Sequence, residues 1–393
     1  MDLVLMSHKS AAFIWCSNYV FQFFFCFGIF LPFYQLWLSE QGMGSESIGI
    51  ILAVGLMSRC VASIVGGILA KHESQYQNVL RVVSALGLCT AVSMVYWSPS
   101  FYHLLILTVL FNAAIAPVFG LSDAIIATLD KRKILSYGPT RMWGSLGFVG
   151  ATVVGGYCFE LWTISVLPII LIISCSLMLF SVTLKCPDLQ TARSQHKVLE
   201  EDGKHWLGAE LILLLGILSL LQGSHGFFYG FSSVYWQEIG IAEGVIGYLW
   251  GISIVSEILV FIFAKKAFSN VSPKLLLQIA SAGVLVRWGA LSLAEQPLYI
   301  ALSQTLHGVT FAMTHLAAIK SIQLYLPESQ MAKFQGLYNG LYMAVTALVT
   351  FITGYLFDSL KADLFIAMAL FGVVGFVLTF SLNLKPIKNP VTV

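Results

Sequence analysis

Between Arg81 and Asp123 the chain runs without a single Asp, Glu, Lys or Arg. Equally bare runs occupy residues 10–39, 161–184, 211–237, 296–319, 334–357 and 364–384. A helix needs about 20 mostly apolar residues to cross the hydrocarbon of a bilayer. A soluble core cannot use so many such runs, because soluble domains carry about 25% charged residues and this chain carries 10%. Allowing for embedded charges, the sequence predicts twelve spans: 11–37, 47–70, 79–97, 101–129, 137–159, 163–185, 207–236, 245–267, 275–294, 298–323, 334–357 and 363–384. No polar–apolar alternation of the barrel kind occurs. The fold class is therefore all-α integral membrane. The first apolar run is far longer than the apolar region of a cleavable signal, so it is read as the first span.

The polar stretch 185–206, KCPDLQTARSQHKVLEEDGKHW, is the one long hydrophilic segment. It predicts an N-terminal six-helix bundle over 1–185, a cytoplasmic linker over 186–206 and a C-terminal six-helix bundle over 207–393. Lys131, Arg132, Lys133, Lys185, Lys265, Lys266, Lys274 and Lys385 fall on one side of this scheme, and Glu40, Glu160, Glu238, Glu243 and Glu295 on the other. Lys and Arg collect in cytoplasmic loops, so both termini are expected in the cytoplasm. The halves repeat. SIGIILAVGLMSR (47–59) aligns with VIGYLWGISIVSE (245–257) at an offset of 198, which pairs Gly42 with Gly240 and Arg59 with Glu257. GYCFE (156–160) and GYLFD (354–358) obey the same offset. A parallel repeat of six-span halves predicts two pseudo-symmetric bundles.

Ionisable residues within spans are expensive and mark substrate or ion paths. Here they are Arg59, Asp123, Arg141, Glu257, Arg287, His307, His315 and Lys320, with His225 in the seventh span. Burial disfavours the charged form of a carboxylate and a neighbouring cation favours it. Glu257 between those influences is a candidate proton carrier, with Arg287 stabilising its charge and His307 relaying. The bland alternative is a static ion pair of Glu257 with Arg287 or Arg141. Arg141 is the candidate for gripping an anion, since a guanidinium meets a carboxylate with two parallel hydrogen bonds. Asp123 would hold it or yield to substrate, or the two form a purely structural pair. Arg59 and Lys320 are read more weakly, Lys320 as a cation reaching for the membrane surface. His225 and His315 are candidate contacts, with hydrogen-bonded core histidines as the alternative.

The run HGFFYGFSSVYW (225–236), including Tyr229, is denser in aromatics than interface anchoring requires. With Trp250 and Trp143 it offers faces for an aromatic ring, or it is core packing. Asn18 and Gln22, four apart, share a helix face and are expected to line the cavity. Trp37, Trp97, Trp162 and Trp236 lie near span ends and are read as interface anchors. The cysteines form no CxxC pair and are read as small apolar residues rather than disulfides or metal ligands. The chain lacks GxSxG, HExxH and P-loop motifs. An enzyme, a nucleotide-driven pump and a nucleic-acid binder all lack their parts, and no cofactor is implied.

YGPTRMWGSLG (137–147) resembles the fifth-span motif of the lactose-permease branch of the major facilitator superfamily. Asp123, Arg141, Glu257, Arg287, His307 and Lys320 match that branch's charged positions. Thr310 stands where that permease has a Glu one turn beyond its His, and Lys71 stands where the general facilitator motif has Asp. FGIFLPF (27–33), RMWGSLGF (141–148), LLQGSHGFFYGFSSVYWQ (220–237), VRWG (286–289) and LHGVTFAMTHLAA (306–318) are similar to the 3-phenylpropionate transporter group of the same branch, over essentially the whole chain. The resemblance implies proton-linked uptake of a phenylpropanoid carboxylate in a bacterial inner membrane. The expected partners are that small molecule, the proton and the bilayer, and a monomer is expected. A symporter for a neutral sugar or nucleoside is the nearest alternative. A non-transporting sensor or scaffold is the alternative of another class.

Overall fold

The computed structural model describes residues 2–70, 73–96, 99–184, 186 and 207–386. The expected linker, but for Cys186, and Trp97 lie outside the described residues. The chain divides into two compact units. Unit 1 takes residues 1–196 with 241–251, and unit 2 takes 197–240 with 252–393.

Unit 1 contains α1 (Asp2–Glu40), α2 (Ser45–Leu69), α3 (Glu73–Tyr96), α4 (Phe101–Lys131), α5 (Tyr137–Trp162) and α6 (Leu167–Thr183). Helix α1 packs on α5 and α6, α2 on α4, and α3 on α4 and α6. The α1–α5 contact is close because both helices put glycine at the crossing. A Cβ on Gly28 would meet Phe148 O at 2.8 Å, and one on Gly147 would strike the Phe21 carbonyl. Small residues let helix backbones approach in this way within a membrane.

Unit 2 contains α7 (Ala209–Gly223), α8 (Gly226–Glu238), most of α9 (Glu243–Phe268), α10 (Pro273–Leu291), α11 (Pro297–Gln304), α12 (Met313–Tyr325), α13 (Glu328–Leu360) and α14 (Asp363–Ser381). Helices α7 and α8 pack on α13 and α14, and α10 packs on α12 and α14. These pairings repeat, half for half, those of α1 with α5 and α6 and of α3 with α4 and α6. The repeat extends to backbone angles. Gly42 (φ +81°) and Gly240 (φ +86°), which the 198-residue offset pairs, are the described glycines in the left-handed region. Each ends a helix with its N–H turned back, to Ser39 O and Gln237 O respectively, and only glycine takes that turn without strain.

Eleven stretches among the described residues are long and apolar enough to cross a membrane. The expected span 298–323 is divided into α11, a π-helical turn (Gly308–Ala312) and α12. A π turn breaks the regular backbone ladder. Here the Gly308 N–H donates to Ser256 Oγ at 2.8 Å instead. The seventh span is also interrupted, at Ser224–His225, between α7 and α8. Both breaks fall beside residues predicted for the site.

Two tryptophans read as interface anchors are core residues. Trp37 is 3% exposed and stacks on Tyr34, and Trp236 is 0% exposed and edges against Phe228. Position near a span end did not decide their surroundings, because neighbouring rings cover them. Trp162 is 64% exposed, as an anchor requires.

Candidate functional site

The predicted residues fall into two clusters, one in each unit. In unit 1, α4 and α5 bring Asp123 and Arg141 together, with Arg141 Nε 3.0 Å from Asp123 Oδ1. Both side chains keep partial exposure, 28% for Arg141 and 41% for Asp123. The guanidinium lies over the Phe24 ring of α1, 4.2 Å from its centroid. Arg59 of α2 stands over Phe27, one turn further along α1, at 5.1 Å. Its Nε and NH2 donate to Asn112 Oδ1 at 3.1 and 2.6 Å. Asn18 and Gln22 share a face as expected, and Ser181 of α6 closes them into a triangle. Asn18 Nδ2 donates to Ser181 Oγ at 2.9 Å, Gln22 Nε2 to Asn18 Oδ1 at 3.0 Å, and Ser181 Oγ to Gln22 Oε1 at 2.9 Å.

In unit 2 the cluster is built on Arg287, which is 0% exposed. Its NH1 donates to His307 Nδ1 at 2.8 Å and to Thr310 Oγ1 at 3.0 Å, and its NH2 donates to Gln304 Oε1 at 2.8 Å. The guanidinium is flanked by the rings of Phe228 (4.8 Å) and Trp288 (4.3 Å). These contacts fix the histidine protons. A guanidinium only donates, so His307 Nδ1 accepts and the neutral ring carries its proton on Nε2. That nitrogen faces Glu257, with Oε2 3.8 Å away. His225 is set the other way round. Its Nδ1 lies 3.1 Å from the Gln222 carbonyl, which only accepts, so Nδ1 is the donor. Nε2 is then the acceptor side, 3.1 Å from the Thr310 hydroxyl, whose oxygen also lies 3.2 Å from the His307 carbonyl. A hydrogen-bonded chain results, His307, Arg287, Thr310, His225, Gln222, with Glu257 Oε2 3.8 Å beyond its His307 end.

The interruptions of the two spans position this chain. Thr310 lies within the π turn and His307 caps its start. His225 sits at the α7–α8 break, where the Gln222 carbonyl takes both the His225 backbone N–H and its ring proton. Gln304, Asn112 and Ser253, which donates to Gln304 Oε1 at 2.7 Å, were not singled out from the sequence. Gln304 carried a usable signal: it precedes His307 by three, on the same helix face.

Other predicted residues stand apart from these clusters. His315 lies two turns beyond His307, with its ring centroid 6.2 Å from that of Phe261 and 6.5 Å from that of Tyr338. Lys320 donates to the carbonyls of Phe268, Ser269 and Val271 at 2.8, 2.9 and 2.6 Å. It thus caps the end of α9, where a cation is favoured. In the aromatic run, Phe227, Phe228, Phe231 and Trp236 are buried core, while Tyr229 keeps partial exposure and stacks on His225 at 5.6 Å. Trp250 and Trp143 belong to unit 1, with Trp250 buried and Trp143 edging against Phe21.

A family model described as the MFS_1 like family matches residues 13–382. The "Probable 3-phenylpropionic acid transporter" of Escherichia coli (strain K12) is 31% identical over 360 residues, 91% of this chain and 94% of that protein. The "Uncharacterized transporter YwbF" of Bacillus subtilis (strain 168) is 22% identical over 370 residues, 92% of this chain and 91% of its own. Among solved structures, the nucleoside transporter NupG matches with a TM-score of 0.76 at 16% identity, over 94% of this chain and 98% of that one. A D-xylose-proton symporter matches with a TM-score of 0.69 at 13% identity, over 96% and 98%. At such identities these two speak for the fold alone.

Proposed function

The chain belongs to the MFS_1 like family of multi-pass membrane transporters, and on that premise we propose that it is a proton symporter importing an aromatic carboxylate such as 3-phenylpropionate. The substrate class is supported by the name of the 31% identical relative and by Arg141, a partly exposed guanidinium beside a carboxylate it can exchange for another. Import is by alternating access, in a bacterial inner membrane with both termini cytoplasmic. The asymmetry of Lys and Arg supports that orientation.

The observation that carries coupling is the ordered chain from Glu257 through His307 to Arg287. Arg287 occupies His307 Nδ1, so the one exchangeable ring proton faces Glu257. Glu257 takes up the proton, and His307 reports its charge to a cation shielded by Phe228 and Trp288. Arg141 holds the substrate carboxylate, with Asp123 released from the pair as substrate binds. Asn18, Gln22, His225, Tyr229, Trp250 and His315 remain proposed substrate contacts. The protein acts as a monomer.

The test is uptake of labelled 3-phenylpropionate into proteoliposomes with and without an inward proton gradient. Accumulation that collapses with the gradient is expected. Absence of uptake in vesicles holding monodisperse protein refutes the substrate assignment.

A further inference from the structure

The proposed ring contacts of the seventh span raise a difficulty, because Phe227, Phe228 and Phe231 are spent in the core of unit 2. Unit 1 offers a different set. Phe24 and Phe27 of α1 and Phe119 of α4 form one cluster, with Phe119 edge-on to both partners at 5.6 and 5.1 Å. Their neighbours Phe23, Phe30, Phe33 and Phe111 are at most 3% exposed, whereas these three are only half-buried. The side they leave open is not an ordinary lipid face. Arg141 lies over Phe24 and Arg59 over Phe27, and intramembrane cations face a protein interior or a water-filled cavity. The three rings therefore line the polar face of unit 1, bracketed by two guanidinium groups.

Resting on the reading of the substrate as an aromatic carboxylate, we propose that Phe24, Phe27 and Phe119 form the aryl subsite, with Arg141 as its carboxylate end. The dimensions agree. A two-methylene tether places a carboxylate roughly 5 Å from its ring centre, from bond lengths of about 1.5 Å. The Arg141 guanidinium carbon is 4.2 Å from the Phe24 centroid, so a ring packed on this cluster brings its carboxylate within reach of Arg141. Aromatic rings prefer offset or edge-to-face partners, and the partial exposure of Phe24, Phe27 and Phe119 leaves ring surface that a further ring can meet in that way. The occupant is thus an arylalkanoate with a short tether. A saturated ring of the same outline fills the space but loses the ring–ring interaction.

The experiment compares 3-phenylpropionate with 3-cyclohexylpropionate, which share a tether and a carboxylate, in proteoliposome uptake and competition. Wild type is expected to prefer the aryl acid. Phe24→Leu, Phe27→Leu and Phe119→Leu, which keep an apolar side chain, each raise the half-saturation concentration for the aryl acid by about two- to tenfold. Each leaves that for the cyclohexyl acid within about twofold, so the preference narrows. Phe119→Tyr, which restores a ring, retains the preference and guards against a leucine variant that misfolds. Wild-type preference unchanged in all three monodisperse leucine variants overturns the aryl subsite alone. A wild type that takes up no arylalkanoate overturns the underlying reading and the subsite with it.

Discussion

Thr310 holds the centre of the unit 2 cluster by a single hydroxyl, and Thr310→Val removes that hydroxyl while keeping the side-chain outline. Thr310 Oγ1 accepts from Arg287 NH1 at 3.0 Å, and its one proton has two acceptors, His225 Nε2 at 3.1 Å and the His307 carbonyl at 3.2 Å. Thr310, His225 and Arg287 are each 0% exposed, so no solvent replaces what is lost. One guanidinium N–H and one imidazole lone pair are stranded. A buried polar group left unsatisfied costs about 1–3 kcal/mol, more when charged. Among the described residues the Arg287 Nε–H has no hydrogen-bond partner, which leaves this guanidinium little further tolerance. The variant is therefore expected to lose about 2–6 kcal/mol. With roughly 2–4 °C per kcal/mol for a body of about 150–250 residues, a loss near 4 kcal/mol lowers Tm by about 8–16 °C. The assay is thermal challenge of detergent-purified protein followed by fluorescence-detected size exclusion, with Thr310→Ser as the control that keeps the hydroxyl. Thr310→Val melting within about 2 °C of wild type, or Thr310→Ser falling as far as the valine variant, would refute the assigned donor order and the cost built on it.

Three further expectations follow from the geometry. Glu257→Gln keeps the side-chain shape but cannot cycle a proton, so gradient-driven accumulation is lost while substrate exchange across the membrane persists; loss of both would mark Glu257 as structural. Arg141→Lys gives up the planar fork that meets a carboxylate, and half-saturation for the aryl acid should rise by about tenfold or more, the worth of about 1.4 kcal/mol, with the melting temperature little changed. Lys320→Met removes the cap from three carbonyls at the end of α9, and a loss of about 1–2 kcal/mol is expected in the same thermal assay with uptake retained; abolished uptake in folded protein would show a direct role instead.

The spans and the buried charges were legible because both are priced by the bilayer: apolar runs declare their length, and Asp123, Arg141, Glu257, Arg287 and His307 stand out against them. Helical spacing likewise brought out the shared face of Asn18 and Gln22. The surroundings of these residues were less legible. Neutral partners such as Gln304 and Asn112 cost little to read past, yet they hold Arg287 and Arg59. The π turn at Gly308–Ala312 follows from a tertiary contact, the meeting of Gly308 with Ser256, and no local pattern announces it. Trp37 and Trp236 were misread for the same reason, since what covers an indole is decided by helices distant in sequence. Lys320 was expected to reach for the membrane surface, and the carbonyls of Phe268, Ser269 and Val271 that it meets had no signal in the sequence.

The matched left-handed turns at Gly42 and Gly240 carry a consequence for descent. They share a backbone solution that tolerates only glycine cheaply, at one offset, ahead of helices whose side chains have drifted. Seventeen positions downstream of each, the same offset now sets Arg59 against Glu257. A turn shared at one offset is what the copying of a half-length chain that already possessed it would leave. On that account the turn stands in both halves while one equivalent position carries opposite charges. A symmetric ancestor would have presented like residues from both halves. Opposite charges at one equivalent position of a repeated frame are what would let one half serve the proposed cargo and the other the proposed proton.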